Sequence, residues 1–216
     1  MSIIKYLIPF ILVLFSACST NEPPPPEFRE YHIGVVPVFV NNGGEDISED
    51  FLNRLSAGML IAQLELERDL KIVLDFDDPL ILNSEMEIAC PFEFPPLEFD
   101  SPFRKNIVLF INIPNQCINL LGCAGLSAIA EEEATAALIT ADQNSINTAM
   151  VLIHEVGHIL GATHTNDMHV MTSSQQWTMF IDFSQESKDE ILKVLIPLYE
   201  QMDKDKAEAE AKDKDK

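Results

Sequence analysis

Positive charge is what this chain of 216 residues lacks most: 14 lysines and arginines stand against 35 aspartates and glutamates, for a formal net charge of −21. Nucleic acid and anionic membrane surfaces would both repel such a chain, so no nucleic-acid partner is expected. The acidity reads as solubility rather than as a taste for basic substrates, and it decides nothing about fold. Long apolar runs are missing too: the run at 6–15 is too short to cross a bilayer comfortably. Cysteine is scarce, with four in the chain. Setting Cys18 aside leaves Cys90, Cys117 and Cys123, whose simplest arithmetic is one disulfide and one free thiol. Cys117 and Cys123 are close enough in sequence to bridge a loop, and Cys90 to either is the alternative. Histidine is also rare. Of five in the chain, three fall within the stretch 154–164.

What is plentiful is apolar residues, 47% of the chain, which together with the length points to one globular domain with a sizeable core. The domain is expected to span 31–202. Residues 1–17 read as an export signal: Lys5 supplies a positive start, an apolar stretch follows, and small Ser16 and Ala17 close it. Phe15-Ser16-Ala17-Cys18 resembles a bacterial lipobox, with Cys18 as the lipidated first mature residue; the alternative is a plain secretory signal that happens to contain a cysteine. Residues 18–30, with Pro23 to Pro26 in a row, read as a stiff tether. The expectation is therefore a membrane-anchored lipoprotein of a bacterial cell envelope, held through Cys18 on the periplasmic or cell-surface side, and monomeric.

The chemistry concentrates in His154-Glu155-Val156-Gly157-His158-Ile159-Leu160-Gly161-Ala162-Thr163-His164. Residues four apart share one face of a helix, so His154 and His158 aim two imidazoles at one point. Zinc wants a third protein ligand and an open position, and His164 supplies the third if the helix stops and the chain turns back. Gly161 is placed to make that turn, because glycine most cheaply adopts the left-handed conformation that ends helices. Glu155 lies about 100° round the helix from His154, beside the metal, where a carboxylate can take a proton from an attacking water. A bare His-Glu-x-x-His turns up by chance. The extended pattern is far more specific, and a core helix carrying satisfied histidines explains neither Gly161 nor His164.

The stretch resembles the motif of the metzincins, zinc peptidases with His-Glu-x-x-His-x-x-Gly-x-x-His followed by a methionine turn. His154, Glu155, His158, Gly161 and His164 match it position by position. Met171, seven residues after His164, is the candidate methionine under the metal, with Met168 and Met179 as competitors. Thr165 stands after the third histidine where better-known subfamilies carry other residues, and no tyrosine stands two after Met171, so the subfamily stays open. The resemblance implies an α+β fold: a mixed twisted sheet, two long helices, a small C-terminal subdomain and zinc in the cleft between. It implies a zinc-dependent endopeptidase acting on protein or peptide substrates, with His154, His158 and His164 on Zn2+ and Glu155 as general base. The alternative is a catalytically inactive zinc-binding or adhesive surface lipoprotein, and a third reading keeps the hydrolysis but applies it to a non-protein polymer. Nothing between signal and first strand is long enough for a matrixin-type latency propeptide.

In chain order, 31–40 is predicted as a strand and 47–70 as a helix opened by a capping box of Asp46 with Glu49. Further strands are predicted at 71–76, 80–89, 106–113, 125–130 and 135–140. The resemblance makes 125–130 the edge strand above the cleft that pairs with extended substrate. Asp75, Asp77 and Asp78 read as a solvated turn rather than a calcium loop. The proline-rich stretch 91–102 either roofs the cleft or packs on its own aromatics. The zinc helix should start near Asn144 and be buried, since it is apolar nearly all round. Asp167 and His169 are polar residues near the metal that either tune it from outside the ligand set or, the reading preferred, form a solvated loop. The closing helix is predicted over 183–199, with Ser187 and Glu190 as its capping box and Pro197 kinking or ending it. Residues 203–216 read as a charged, solvated, frayed or disordered tail.

Overall fold

The string Ile107-Val108-Leu109-Phe110-Ile111 carries apolar residues at consecutive positions, a pattern usable only by a strand covered on both faces. In the computed structural model, which describes residues 29–41, 48–83, 105–112, 122–124, 134–140, 144–172 and 181–214, it lies in the middle of the sheet. The elements in order are β1 (Tyr31–Asn41), α1 (Glu49–Leu70), β2 (Ile72–Phe76), β3 (Leu80–Asn83), β4 (Lys105–Asn112), β5 (Gly122–Ala124), β6 (Ala134–Thr140), α2 (Ser145–Ile159) and α3 (Gln185–Lys214). The sheet runs β2-β1-β4-β6-β5, parallel except for β5. β1 is long enough to carry two partners along one edge: β2 pairs with its first half, Tyr31 opposite Ile72, and β3 with its second, Val38 opposite Leu80. This is the mixed sheet with long helices that the sequence led us to expect.

α1 forms because Phe51, Leu55, Ala62, Leu66 and Leu70 recur on one face and are buried there. Its N-cap is Ser48, whose hydroxyl accepts the Phe51 N–H at 3.2 Å, so the helix starts later than a box headed by Asp46 would place it; Asp46 itself lies outside the described residues. Lys71 ends it in the left-handed region (φ 58°) and hands the chain straight to β2. α2 is capped by Asn144, whose side chain accepts from the Ile146 N–H at 2.9 Å. Val151, Leu152, Ile153, Val156 and Ile159 are all buried, as a helix apolar nearly all round demands, and each contributes roughly 1.5–3 kcal/mol by burial. The two helices touch closely at Gly58, where an added Cβ would lie 2.9 Å from the Ser145 carbonyl oxygen and 3.0 Å from Thr148 Cβ.

α3 departs from expectation in three ways. Ser184, not Ser187, caps it: the Ser184 hydroxyl accepts the Ser187 N–H at 3.2 Å, while Ser187 is buried in the first turn. Pro197 does not end the helix. Its missing N–H costs one bond, but Ile191, Leu195 and Tyr199 are buried on either side and hold both halves against the core. The helix then continues to Lys214 through the stretch expected to be a frayed or disordered tail. That segment is solvated, as its charges require, yet it is helical, because alanine, glutamate and lysine are strong helix formers. Gln201 adds an i,i+4 bond to Asp205 at 2.8 Å.

The N-terminal end of the domain is fastened to α3. The Tyr199 hydroxyl donates to the His32 carbonyl, and the Tyr31 and Tyr199 rings meet edge to face at 5.2 Å. Arg29 donates to the Tyr199 carbonyl at 3.2 Å and pairs with Asp203 at 2.8 Å. The predicted edge strand at 125–130 lies outside the described residues; the edge strand described is β5, three residues earlier in register with β6. The whole of 91–102 and the three cysteines' pairing likewise fall outside what the structure describes. Cys123 is on β5, and Asp75 lies 3.2 Å from His32 Nδ1.

Candidate metal centre

Helix periodicity stacks His154 over His158, and the turn after α2 returns His164 to the same point. Nε2 of His158 is 3.1 Å from that of His154 and 3.0 Å from that of His164, and the last pair is 3.3 Å apart. His154 Nδ1 donates to the Val170 carbonyl at 2.7 Å, and His158 Nδ1 to the Ala162 carbonyl at 2.9 Å. These bonds put the ring proton on Nδ1 and leave the Nε2 lone pairs facing each other. Lone pairs gathered this closely repel unless a cation lies between them, and Zn–N bonds of about 2.0–2.1 Å in tetrahedral array need N···N separations of about 3.3–3.4 Å. The donor set therefore fits zinc. Of the described residues these three alone form such a cluster. Burial, with the neighbouring histidines, pushes the His154 imidazole down to about 4, against the lift from its bond to Val170, so the ring is neutral and ready to ligate. Burial also holds His158 below the ordinary histidine range.

Glu155 faces β5 rather than the ligand cluster's own helix face. It is 5% exposed, and burial raises its carboxyl to about 8 despite a hydrogen bond from the Ala124 N–H. Room for it comes from Gly122: a Cβ there would lie 2.7 Å from Glu155 Oε1 and 2.7 Å from Val151 Cγ1.

Two turns complete the site. The first unwinds α2 by bonds from Gly161 N–H to the His158 carbonyl at 3.0 Å and from Ala162 N–H to the Gly157 carbonyl at 2.9 Å. Gly161 has φ +97°, the left-handed backbone that its place in the motif suggested. The second contains Met171, fully buried beneath α2: a Cβ on Gly157 would lie 2.5 Å from its Sδ and 2.9 Å from Phe183 Cε1. Of the competitors, Met168 is 59% exposed and Met179 lies outside the described residues. Asp167 and His169 are not a merely solvated loop. Asp167 accepts from the Thr165 hydroxyl at 2.6 Å and from the His169 N–H at 3.1 Å, and the His169 ring meets Asp182 at 3.0 Å, so both side chains tie the second turn together.

Gly122, Gly157, Thr163 and Glu190 belong to the site's surroundings, and sequence reasoning missed them in that role. Gly157 had a signal: a glycine inside a helix costs about 1 kcal/mol against alanine, which points to a close approach. Gly122 and Glu190 had none, because the residues they serve are distant in sequence.

Residues 71–200 match the family model of matrixin, peptidase family M10. No curated protein sequence matches the chain. The crystal structure of metalloproteinase-II from Bacteroides fragilis superposes with a TM-score of 0.50 at 17% identity, over 80% of this chain and 55% of that one. The chain thus spans about half the length of that protein, and the likeness speaks for the fold.

Proposed function

Because the chain belongs to the matrixin family, we propose that it is a zinc-dependent endopeptidase in which His154, His158 and His164 hold the metal and Glu155 is the general base. The observation that carries this reading is the convergence of three Nε2 atoms within 3.3 Å beside a buried carboxyl. Zinc bound there supplies Lewis-acid polarisation of a scissile carbonyl and of the attacking water. With the metal in place, Glu155 as the carboxylate would take the proton from that water and then, as the acid, return it to the leaving amine; the burial that favours its protonated form suits it to hold the proton between the two transfers. The Ala124 N–H holds the carboxylate in place through both transfers. Among the described residues β5 ends the sheet order, and an extended peptide could pair with its outer edge beside Glu155. A protein that only bound zinc would have no use for a buried carboxyl in this position.

Glu155→Gln tests the reading, since the amide keeps size and polarity but accepts no proton. Zinc content should match the parent while hydrolysis of a peptide library falls by about 10²-fold or more. Equal cleavage by both proteins removes Glu155 from the mechanism, and a parent that cleaves no peptide under any condition favours a binding protein or a non-peptide polymer as substrate.

Lipidation of Cys18, with a monomer held on the outer side of a bacterial membrane, is proposed on the sequence alone. Among the described residues no helix is long and apolar enough to cross a membrane. Mass spectrometry of the mature N-terminus should find a diacylglyceryl cysteine, lost in Cys18→Ser; processing downstream of Cys18 refutes it.

A further inference from the structure

The third histidine is held differently from the first two. His154 and His158 sit on a rigid helix, and each has its Nδ1 bonded to a backbone carbonyl. His164 lies on an exposed loop, and among the described residues no acceptor meets its Nδ1. Its position must come from the backbone on either side. After it, the Thr165 N–H donates to the Met171 carbonyl at 3.0 Å. Before it, Thr163 donates twice to one carboxylate, its N–H to Glu190 Oε2 at 2.8 Å and its hydroxyl to Glu190 Oε1 at 3.1 Å. Glu190 is on α3, 27 residues away in sequence. One turn further along the same helix face, Val194 Cγ2 stands 2.8 Å from where a Cβ on Gly161 would be. The face that carries Glu190 and Val194 therefore presses on both ends of the segment 161–163.

We propose that Glu190 is a positioning residue for the metal centre, fixing the segment that presents His164; this rests on the three-histidine zinc reading above. Hydrogen bonds to an ionised carboxylate are stronger than neutral ones, and a two-point grip sets the direction of the Thr163 peptide as well as its place. The next residue's Cα is thereby set, and with it the reach of the imidazole. Loss of the grip leaves the His154–His158 pair intact and the third ligand free to swing, which lowers zinc affinity without touching a ligand. Residues one layer out from a metal change affinity by about 10–100-fold.

The test is zinc affinity of the full chain, measured by competition with a chromogenic chelator, alongside the unfolding temperature of the chelated protein. Glu190→Ala should bind zinc at least about tenfold more weakly than the parent, with the metal-free unfolding temperature nearly unchanged. Glu190→Gln should restore binding to within about threefold, since its carbonyl accepts the Thr163 N–H and its amide donates to the Thr163 hydroxyl oxygen. Thr163→Val, which keeps the N–H bond and loses the other, should fall between. Zinc binding by Glu190→Ala within about threefold of the parent overturns the proposal. So does a Glu190→Gln protein as weak as Glu190→Ala. Should Glu190→Ala not fold, Thr163→Val decides: weakened binding supports the grip, and unchanged binding removes it. A parent that binds no zinc overturns the zinc site itself and this proposal with it.

Discussion

The helix-borne and loop-borne halves of the metal centre are built on different principles. His154 and His158 meet because 3.6 residues make a turn, and each ring is then locked by a carbonyl that the following turns supply: Val170 for one, Ala162 for the other. His164 meets them only because a left-handed glycine, a buried methionine turn and a carboxylate from α3 agree on where the chain goes after α2. His154 is 9% exposed, whereas His164 is exposed. One half of the site is local geometry and the other is tertiary agreement. The halves should therefore respond differently to substitution, to strain and to pH.

The largest effect should come from the ligands themselves. A His154→Ala, His158→Ala double variant should hold no zinc by metal analysis and hydrolyse peptide at background, as should the chelated parent until zinc is returned. His164→Ala should also lose most zinc, yet the metal-free proteins should part company in urea unfolding. His154→Ala orphans the buried Val170 carbonyl and should cost about 1–3 kcal/mol, while His164→Ala should be near neutral. Equal destabilisation by the two would erase the distinction between the halves.

Next in size come the glycines. Gly157→Ala drives a methyl into Met171 and Phe183, an overpacking worth about 1–3 kcal/mol. Gly161→Ala strains the turn by about 1–2 kcal/mol at its positive φ and also meets Val194. Gly157→Ala should destabilise even the chelated protein; Gly161→Ala should cost relatively more zinc affinity than stability. The opposite ranking in paired unfolding and zinc titrations would break the assignment of these glycines to the two halves.

A pH dependence sharpens the helix-borne half further. The folded metal-free protein keeps the Glu155 proton up to about 8, while the unfolded chain releases it near the ordinary 4.5. Over that window the folded state binds more protons, so this group's contribution is fullest below 4.5 and is lost as pH rises towards 8. Chelated Glu155→Gln should lack that decline and be more stable than the chelated parent at neutral pH; parallel stability–pH curves for the two would contradict the buried carboxyl. The smallest effect belongs to a region remote from both halves. Removing 205–216, helical to 214 and exposed over 205–212, should shift the unfolding temperature by little, because the side chains described there are all exposed and surface ion pairs contribute at most about 1 kcal/mol.

Where sequence reading succeeded, the signal was repeated along the chain. The apolar run of β4, the face of α1 and the all-round apolar α2 each state their burial many times over, so their positions needed no partner to be known. It failed at ends and surfaces. Ser48 and Ser184 cap their helices because of where packing starts each helix, and the residues favoured as cap heads, Asp46 and Ser187, have equally good side chains. Pro197 and the charged stretch after 203 looked like stops. They are not, since the buried residues flanking Pro197 hold the helix in line and its exposed end is made of strong helix formers.

The sequence by itself determined the donor set: two histidines four apart, a carboxylate between them, a glycine and a third histidine are the residues on which the proposed zinc site and its base rest. It also determined that the helix carrying them is buried, because an apolar surface on every side has nowhere else to go. Only the tertiary structure decided how Glu155 is raised and held, since Gly122 and the Ala124 N–H arrive from a strand about thirty residues upstream whose pairing no local pattern announces. The same holds for Met171 under Gly157 and for Glu190 on Thr163. Helical spacing is enforced by bonds within the segment and can be read from it, whereas contacts between segments depend on how the whole sheet and its helices come together.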